Sequence, residues 1–416
     1  MLIARTRDIA RAEDALADAF LAALRTWPGQ GVPEQPDAWL LAVARNRDRN
    51  DARHHSVREA AAEEIVSLQQ AFAREASDFP DERLRLMFVC AHPAMDPGIR
   101  TPLMLQTVLG LDAAAIARAF VLEPATMGQR LVRAKARIRD IGLRFELPEA
   151  DEMPGRLHEV LEAVYAAYGT SWEKSSAGTD AWTELTAEAL FLGRLLVQAL
   201  PQEPEAKGLL ALMLHCEARR HARRDSAGNF LPLDQQDVRR WSREMIVEAE
   251  SLLIAASRAG RFGRFQCEAA IQSVHVQRPL TGRLEHAALT TLYALLVEHC
   301  PSVSARVGYA AALLEMGRPS EALAALAAVE AADASRYQPY GVTRARVQEA
   351  LGDREAAQSA LQRALALTNE PALRRQLGAA LAAAPREGVR SIGVLATHPG
   401  DAAMVQTIPG RTGGRI

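Results

Sequence analysis

Residues 111–139 read LDAAAIARAFVLEPATMGQRLVRAKARIR, and this segment carries the most specific structural pattern of the chain. Two short helices fit it, with a break at about Val121 to Glu123. The second helix repeats apolar residues at intervals of four, three and four, which predicts one buried face: Met127, Leu131, Ala134 and Ile138. Polar and basic residues fall on the opposite side: Gln129, Arg130, Arg133 and Arg137. An arginine-rich helix with an apolar back can lie in a DNA major groove, so the segment predicts a helix-turn-helix and favours gene regulation over catalysis.

The local charge supports this interpretation, although the whole chain has a formal net charge of only −2. From Pro124 to Arg144 six basic residues stand against one acid, Asp140, which leaves a local excess of +5. A positive helix of this kind is the electrostatic footprint expected of a nucleic-acid contact. The alternative for this helix taken alone is a solvated, arginine-rich surface.

The N-terminal part of the chain predicts two helices separated by a loop. The first covers Ala12 to Thr26 and has one apolar face: Leu16, Phe20, Ala23 and Leu24. Prolines and glycines predict a loop from Trp27 to Pro36. The second helix begins near Asp37, a suitable N-cap, and is expected to bury Trp39, Leu40 and Val43. Its other face carries arginines and asparagines that suit phosphates and bases, or else form a solvated helix face: Arg45, Asn46, Arg49, Asn50 and Arg53.

The rest of the chain also predicts helices, so the expected fold class is all-α. Residues 56–80 are polar and rich in alanine, and we interpret them as a partly helical linker. Two amphipathic helices, 81–92 and 97–109, lead into the helix-turn-helix, and the acidic segment 147–154 with its two prolines marks a boundary. Beyond it, four aromatic residues without interleaved basic residues are expected to be core rather than a stacking platform for bases: Tyr165, Tyr168, Trp172 and Trp182.

Two similar units occur near the C-terminus at an offset of 35 residues. Gly317 pairs with Gly352, and Ala322 pairs with Ala357, with an apolar residue before each glycine. This spacing resembles tetratricopeptide repeats. Because two units are too few to stack alone, helices between residues 155 and 300 are expected to complete a solenoid. The tail, residues 385–416, has no periodicity and is expected to be disordered.

Composition excludes several classes of protein. No apolar run of 18 residues predicts a membrane span, and no apolar leader precedes the first helix, so a cytoplasmic location is expected. Four cysteines are scattered without a C-x-x-C pair, which predicts buried thiols and no metal site or cofactor: Cys90, Cys216, Cys267 and Cys300. Neither paired carboxylates, nor a nucleophile with its base, nor a phosphate-binding glycine loop stands out, so an enzyme is not expected.

Two parts of the chain resemble bacterial extracytoplasmic-function (ECF) sigma factors. Residues 12–16 (AEDAL), Trp27 and residues 36–47 (PDAWLLAVARNR) are similar to sigma region 2, and residues 116–135 are similar to sigma region 4. Residues 155–384 resemble the C-terminal extension of one ECF subgroup, which ends in tetratricopeptide repeats, as in residues 209–220 (LLALMLHCEARR). The layout implied is region 2, linker, region 4, helical extension and tetratricopeptide-like repeats: residues 1–55, 56–80, 81–146, 155–300 and 301–384.

The resemblance implies a promoter-recognition role for both sigma regions. Region 2 would bind the β′ clamp helices of core RNA polymerase through Asp14 and Asp18 and would melt the −10 element. Region 4 would bind the β flap and read the −35 element. The −10 contacts would come from the row Arg45, Asn46, Arg49, Asn50 and Arg53, and residues 28–35 would capture an unstacked base. At the −35 element, Gln129, Val132 and Arg133 would face bases, and Thr126, Arg130 and Lys135 would contact phosphates. Arg137 would also belong to the −35 interface.

Three departures from the family pattern carry structural expectations. Only eleven residues precede Ala12, so we expect either that the chain starts late or that the first helix of region 2 is short. Gly128 stands where a polar or basic residue is common, so one base contact is expected to be missing. Val121 stands in a turn where glycine is common in the family. Because a β-branched residue is unfavourable at positive φ, the turn is expected to have a different backbone geometry from that of the family.

Two alternatives remain open beside a sigma factor that the C-terminal extension regulates in cis. One is a dimeric helix-turn-helix regulator with a tetratricopeptide sensor domain and its own protein partner, although residues 37–53 would then lack a role. The other is a scaffold in which the helix-turn-helix serves packing only. A further hypothesis is that regions 2 and 4 are held together in the free protein, with residues 155–384 as the element that holds them.

Overall fold

The computed structural model describes residues 9–52, 82–120, 122–143, 148, 151–174, 180–225, 231, 233–281, 284–368 and 371–383. The regular secondary structure of these residues consists of helices, which confirms the all-α fold class. None of these helices has an apolar stretch long enough to cross a membrane. The chain divides into two compact units, Met1–Ala163 and Val164–Ile416. The predicted linker at 56–80 and the tail at 385–416 lie outside the described residues.

The helices of the first unit are α1 (Ile9–Gln30), α2 (Pro36–Ala52), α3 (Glu82–Cys90), α4 (Pro97–Thr107), α5 (Ala113–Ala119) and α6 (Pro124–Ile141). α7 (Met153–Lys174) begins in the first unit and ends in the second. The second unit continues with α8 (Asp180–Ala199), α9 (Pro204–Glu217), α10 (Arg243–Ser257), α11 (Arg264–Thr281), α12 (His286–His299), α13 (Val303–Glu315), α14 (Pro319–Ala327), α15 (Ala331–Ala334), α16 (Gln338–Ala350), α17 (Arg354–Ala366) and α18 (Pro371–Ala383). Short 3₁₀ turns lie at Arg220–Ala222, Leu233–Gln235 and Val238–Arg240.

α1 packs against α2 through small residues, not through the predicted face. The buried set of α1 is Ile9, Ala12, Ala15, Ala19 and Ala23. Phe20 and Leu24, which belong to the predicted apolar face, are 50% and 72% exposed, whereas Leu16 and Ala23 of that face contribute to the core. Short alanine side chains let two helices approach closely, and this close approach determines which face is covered. In α2, Leu40 is buried with Trp39 and Val43 packed beside it, as predicted.

The predicted loop from Trp27 to Pro36 is wrong at both ends. α1 continues through Pro28 to Gln30, α2 already begins at Pro36, and only residues 31–35 connect them. The Trp27 ring packs against Trp39, with 5.5 Å between ring centroids, and this contact supports the last turn of α1. Gly31 ends the helix at a φ of 81°, a conformation that glycine adopts without strain.

α3 to α6 form a second packing group in the first unit. Asp96 caps α4 by accepting the Gly98 N–H at 2.8 Å, and Asp112 accepts the Ala115 N–H at 2.6 Å at the start of α5. α6 packs against both α4 and α5. Its buried residues are the four predicted from the apolar spacing: Met127, Leu131, Ala134 and Ile138.

The second unit is organised around α9, which is buried along nearly its whole length. α8, α10 and α11 all pack against α9. Tyr165 and Tyr168 are buried, as predicted: Tyr165 packs edge-on against Phe265, and the Tyr168 hydroxyl donates to the Met213 carbonyl at 3.2 Å. The side chains of Trp172 and Trp182 lie outside the described residues.

The two units offset by 35 residues form two helical hairpins. α13 and α14 meet at Gly317, and α16 and α17 meet at Gly352, where φ is 72° and 84°. Ala322 and Ala357 are buried at equivalent places in the second helix of each hairpin. α14 packs on α16, and α18 covers α17. Sequence equivalence at this offset therefore corresponds to equivalent local structure.

Candidate nucleic-acid interface

Burial of one face of α6 determines which face of the helix points outward. The inner stripe, Met127, Leu131, Ala134 and Ile138, faces the core. A second set has the same spacing two residues earlier, and two residues correspond to about 200° of helical rotation. This outer stripe is Ala125, Gln129, Val132 and Ala136. Gln129 is exposed and Val132 is 68% exposed, so the face predicted to meet bases is open.

Both ends of α6 are fixed by local backbone chemistry. Pro124 occupies the first turn, where its missing N–H costs no helical hydrogen bond. At the other end Gly142 has a φ of 66°, and its N–H donates to the Arg139 carbonyl at 3.0 Å. The Leu143 N–H then donates to the Ile138 carbonyl at 3.3 Å, and Leu143 is buried. This pair of bonds is a Schellman motif, which holds the end of the helix in register with the core.

Three arginines flank the outer stripe without a carboxylate partner among the described residues. Arg130 and Arg133 are exposed, and the Arg133 Nε donates to the Gln129 carbonyl at 3.3 Å. Arg137 is exposed and its Nε reaches the Ala94 carbonyl at 3.5 Å. Arg139, in contrast, is paired with Asp140 at 3.4 Å. Because guanidinium groups stay charged, this face presents positive charge that no acid in the described part of the chain pairs with.

Lys135 lies on the other flank and has a different partner from the one predicted. Its Nζ contacts the two carboxylate oxygens of Glu13 at 2.6 and 2.8 Å, and its side chain is only 11% exposed. α1 therefore packs against α6 on this flank. Thr126 and Arg130, the other predicted phosphate contacts, are exposed, and so is Arg137. The phosphate contact predicted for Lys135 would require this ion pair to open.

The loop before α4 joins α6 to the first turns of α7. The Arg100 guanidinium donates to the Met95 carbonyl at 3.0 Å and to Glu159 of α7 at 2.8 Å. His92 lies in the same loop, and burial, together with the charge of Arg156, lowers its pKa. Since Arg137 also contacts this loop at Ala94, the loop connects the candidate interface with α7.

The predicted departures at Val121 and Gly128 have different outcomes. Val121 lies outside the described residues. Gly128 lies within α6, and a Cβ built on it would meet nothing within 4 Å. A side chain would therefore fit at position 128 beside the outer stripe, and packing does not explain why the residue is glycine.

The predicted −10 row is described only at its beginning. Arg45 is half-buried, whereas Asn46, Arg49 and Asn50 belong to α2 with side chains outside the described residues, and Arg53 lies wholly outside them. Of the predicted polymerase contacts, Asp14 is exposed and Asp18 is half-buried on α1. These two acids and the members of the −10 row up to Asn50 thus belong to the same helical pair.

Sequence reasoning missed two features of α1. Glu13 was not identified as the partner of Lys135, since the two residues are 122 positions apart and nothing in the local pattern links them. The sequence pattern also does not show that three apolar residues of α1 are exposed, because it places Phe20 and Leu24 on the predicted apolar face: Phe20, Leu21 and Leu24. The sequence does contain a signal for this exposure. α1 has one apolar face of alanines and another of larger side chains, and a single packing partner cannot bury both faces.

Cys90, Cys216 and Cys267 are buried, as predicted, whereas Cys300 is only half-buried. No group of three or more histidine, cysteine or acidic side chains among the described residues is arranged to hold a metal ion. Burial raises the pKa of Cys90 and of Cys267 to about 12. A thiol with a raised pKa is a poor nucleophile at neutral pH, so these two behave as core residues.

Comparisons with known proteins give family membership. A model described as a family of unknown function (DUF6596) matches residues 156–257. The uncharacterized protein R00370 of Rhizobium meliloti (strain 1021) is 36% identical over 371 residues, which is 87% of this chain and 87% of that protein. No solved structure matches the chain. On this extent of identity, the chain belongs to the same protein family as the Rhizobium meliloti protein.

Proposed function

We propose that the chain is an RNA polymerase sigma factor of the ECF class, in which α6 reads the −35 element and α2 contacts the −10 element. The observation that carries the proposal is the outward face of α6. Its inner stripe is buried, its outer stripe is open, and Arg130, Arg133 and Arg137 have no carboxylate partner among the described residues. A buried back with a basic front is what a major-groove helix requires.

The chemistry of that face supports reading of bases as well as binding of phosphates. An arginine can pair with O6 and N7 of guanine, and a glutamine can pair with N6 and N7 of adenine. Arg133 and Gln129 are exposed on the outward half of the helix and supply these two groups. Arg130 and Thr126 are exposed nearer the edge, where contacts with phosphates give affinity without sequence information.

The pairing of α1 with α2 supports a sigma factor over a regulator with one DNA-reading module. α2 carries four residues of the predicted row, Arg45, Asn46, Arg49 and Asn50, and α1 carries Asp14 and Asp18. A regulator that binds operator DNA through α6 alone would leave this helical pair without a role. A sigma factor uses it for the β′ clamp helices and for the melted −10 strand.

The ion pair between Glu13 and Lys135 is consistent with a closed form of the free protein. It joins α1 of the proposed region 2 to α6 of the proposed region 4, at 2.6 Å between Glu13 Oε2 and Lys135 Nζ. We propose that binding of core polymerase separates these helices and releases Lys135 for a phosphate. The contact lies entirely within the first compact unit and does not use residues of the extension after Ala163.

We further propose that the second unit regulates the sigma core in cis and takes a protein partner on its C-terminal hairpins. The hairpins α13–α14 and α16–α17 repeat at 35 residues with equivalent buried alanines, which supports a tetratricopeptide-like assignment. Such stacked hairpins present extended surfaces to partners. A cytoplasmic location follows from the proposed partner, core RNA polymerase.

A run-off transcription assay with purified core polymerase tests the proposed function. The full-length protein should produce a discrete transcript from a promoter selected from a random library. Arg133→Ala should weaken recognition by about 1–3 kcal/mol at one base pair of the −35 element. Arg258→Ala changes an exposed arginine of the second unit and serves as the matched control. Failure to bind core polymerase, together with no specific transcript, would show the proposal to be wrong.

The same materials distinguish the helix-turn-helix regulator. That protein would bind a duplex operator tightly without polymerase, and its preferred site would contain two half-sites related by symmetry. A sigma factor should instead select a single, non-palindromic −35 sequence when core polymerase is present. A palindromic selected site would therefore favour the regulator.

A further inference from the structure

We propose that Val132 reads the 5-methyl group of a thymine in the major groove, so that the sequence recognised by α6 contains a thymine at a fixed position. This inference rests on the proposed function of α6 as a DNA-reading helix. It names the base that one residue of that helix selects, which the proposed function leaves open.

The first observation is that Val132 is exposed where the fold gains nothing from it. The side chain is 68% exposed, whereas the apolar residues of the inner stripe on the same helix are buried. Valine is also a poorer helix former than alanine, arginine or glutamine. An exposed β-branched residue at the centre of a basic face therefore serves neither the core nor the helix.

The second observation is that the turn next to the isopropyl group lacks a side chain at Gly128. Side chains on a helix lean towards its N-terminus, so Val132 lies over the turn that contains Gly128. Gly128 has no side chain, and the space where its Cβ would lie is empty to 4 Å. Ala125 and Ala136, the outer members of the same stripe, are short. Val132 is thus the most prominent apolar group on the outward face.

The third observation is the charge around it. Gln129 precedes Val132 by one turn, Arg133 follows it, and Arg130 and Arg137 flank the stripe without a carboxylate partner among the described residues. An apolar surface for a protein partner would be broad, whereas here a single aliphatic side chain has the positive charge of three arginines along one side of it. This arrangement complements a DNA major groove in which phosphates surround one apolar group.

Thymine is the base that fits this description. Each base pair presents donors and acceptors in the major groove, and only thymine adds a methyl group there. A valine cannot donate or accept a hydrogen bond, so it gains most from that methyl group and would leave the polar edges of other bases unpaired. The arginines hold the helix on the phosphates, and Val132 then discriminates by apolar contact.

Replacement of thymine by deoxyuridine tests the inference, because it removes the methyl group and leaves every hydrogen-bonding group in place. The preferred duplex would first be selected with the full-length protein, alone and with core polymerase. Each thymine of that duplex would then be replaced singly. We expect one replacement to weaken binding of the wild-type protein by about fourfold, the contribution of one buried methyl group.

In Val132→Ala that same replacement should have almost no effect, while the other positions keep their effects. Val247→Ala changes a valine of α10 that is 57% exposed and should leave the fourfold loss unchanged. Circular dichroism should show the helix content of Val132→Ala to be intact, since the side chain does not belong to the core.

Three kinds of result would overturn the inference. If no thymine is sensitive to replacement, or if Val132→Ala keeps the wild-type sensitivity, DNA is bound but Val132 does not read the methyl group. If Val132→Ala instead abolishes binding to core polymerase, the residue belongs to a protein interface. If the protein selects no sequence with or without polymerase, the proposed function fails as well, and this result is distinguishable from the other two.

Discussion

At the scale of single residues, the Glu13–Lys135 ion pair determines which cations of α6 are available. Lys135 is covered by α1, with its side chain 11% exposed, whereas Arg130, Arg133 and Arg137 are open. A pair with one partner half exposed stabilises a fold by only about 0–1 kcal/mol. Its loss should therefore change DNA binding more than stability.

We expect Glu13→Gln to strengthen the binding of duplex DNA, because it releases Lys135 for one more phosphate contact. Each phosphate contact contributes about 0.9 to the slope of log K against log salt concentration, so that slope should steepen by about one. Binding measured between 50 and 200 mM salt gives the slope. Asp14→Asn makes the same charge change at the exposed neighbouring residue and is the matched control. Equal effects of the two variants would mean that only net charge matters.

A buried histidine in the second unit gives a second prediction, for stability against pH. Burial and the nearby Arg219 lower the pKa of His215 from 6.5 to about 3. Its Nε2 lies 3.6 Å from Glu250 Oε1, which instead accepts the Ser273 hydroxyl at 2.6 Å. The unfolded chain binds the imidazole proton more tightly than the folded chain does. The contribution of neutral His215 to the free energy of unfolding is therefore present above about pH 6.5 and is lost as pH falls towards 3.

His215→Leu should remove that contribution. Between pH 6 and 4 the free energy of unfolding should then fall less steeply, by about 1.4 kcal/mol per pH unit, which corresponds to one proton. Hydrogen exchange of the α9 amides, measured against denaturant concentration, reports the local free energy. His221→Gln, at an exposed histidine, should leave the slope unchanged. An unaltered slope in His215→Leu would contradict the lowered pKa.

At the scale of elements, α6 contains two glycines in opposite backbone situations. Gly142 ends the helix at a φ of 66°, where an L side chain is strained. Gly128 lies inside the helix with open space around it. The same substitution should therefore have opposite effects at the two positions.

We expect Gly142→Ala to destabilise α6 by about 1 kcal/mol and Gly128→Ala to stabilise it by about 0.5–1 kcal/mol. Hydrogen exchange of amides in residues 124–143 measures both changes in the full-length protein. If the two variants shift protection in the same direction, the Schellman end of the helix is not what holds it in register. Gly128→Ala should also leave Val132 exposed, so it separates helix stability from the reading of bases.

The sequence predicts the buried face of a helix correctly where the apolar residues form a single face. It predicts the wrong face where two apolar faces compete. The inner stripe of α6 follows a single apolar face, and it is buried as expected. α1 has two apolar faces, one of alanines and one with Phe20 and Leu24, and the larger side chains gave the wrong choice. Similarly, proline at position 28 predicts a loop, but packing between Trp27 and Trp39 compensates for the lost hydrogen bond.

At the scale of the whole molecule, residues far apart in sequence form contacts that no local pattern specifies. Glu13 meets Lys135 within the first unit, and Arg100 meets Glu159 of α7 at 2.8 Å with both side chains mostly buried. α7 is therefore part of the first unit over its initial turns, although the sequence predicts a boundary before residue 155. A truncation placed at that predicted boundary would remove the partner of Arg100.

Shortening the chain tests the proposed regulation in cis, and the structure determines where to cut. Residues 1–174 keep α7 and the Arg100–Glu159 pair, whereas residues 1–154 lose both. We expect the longer fragment to bind DNA within about threefold of the full chain, because the predicted phosphate contacts, which supply most of the affinity, lie in the first unit. Its transcription with core polymerase should differ from that of the full chain: a rise means that the second unit restrains the sigma core, and a fall means that the core requires it. Unchanged transcription would show that the second unit does not regulate in cis, and weaker DNA binding would show that it contributes to the DNA interface itself.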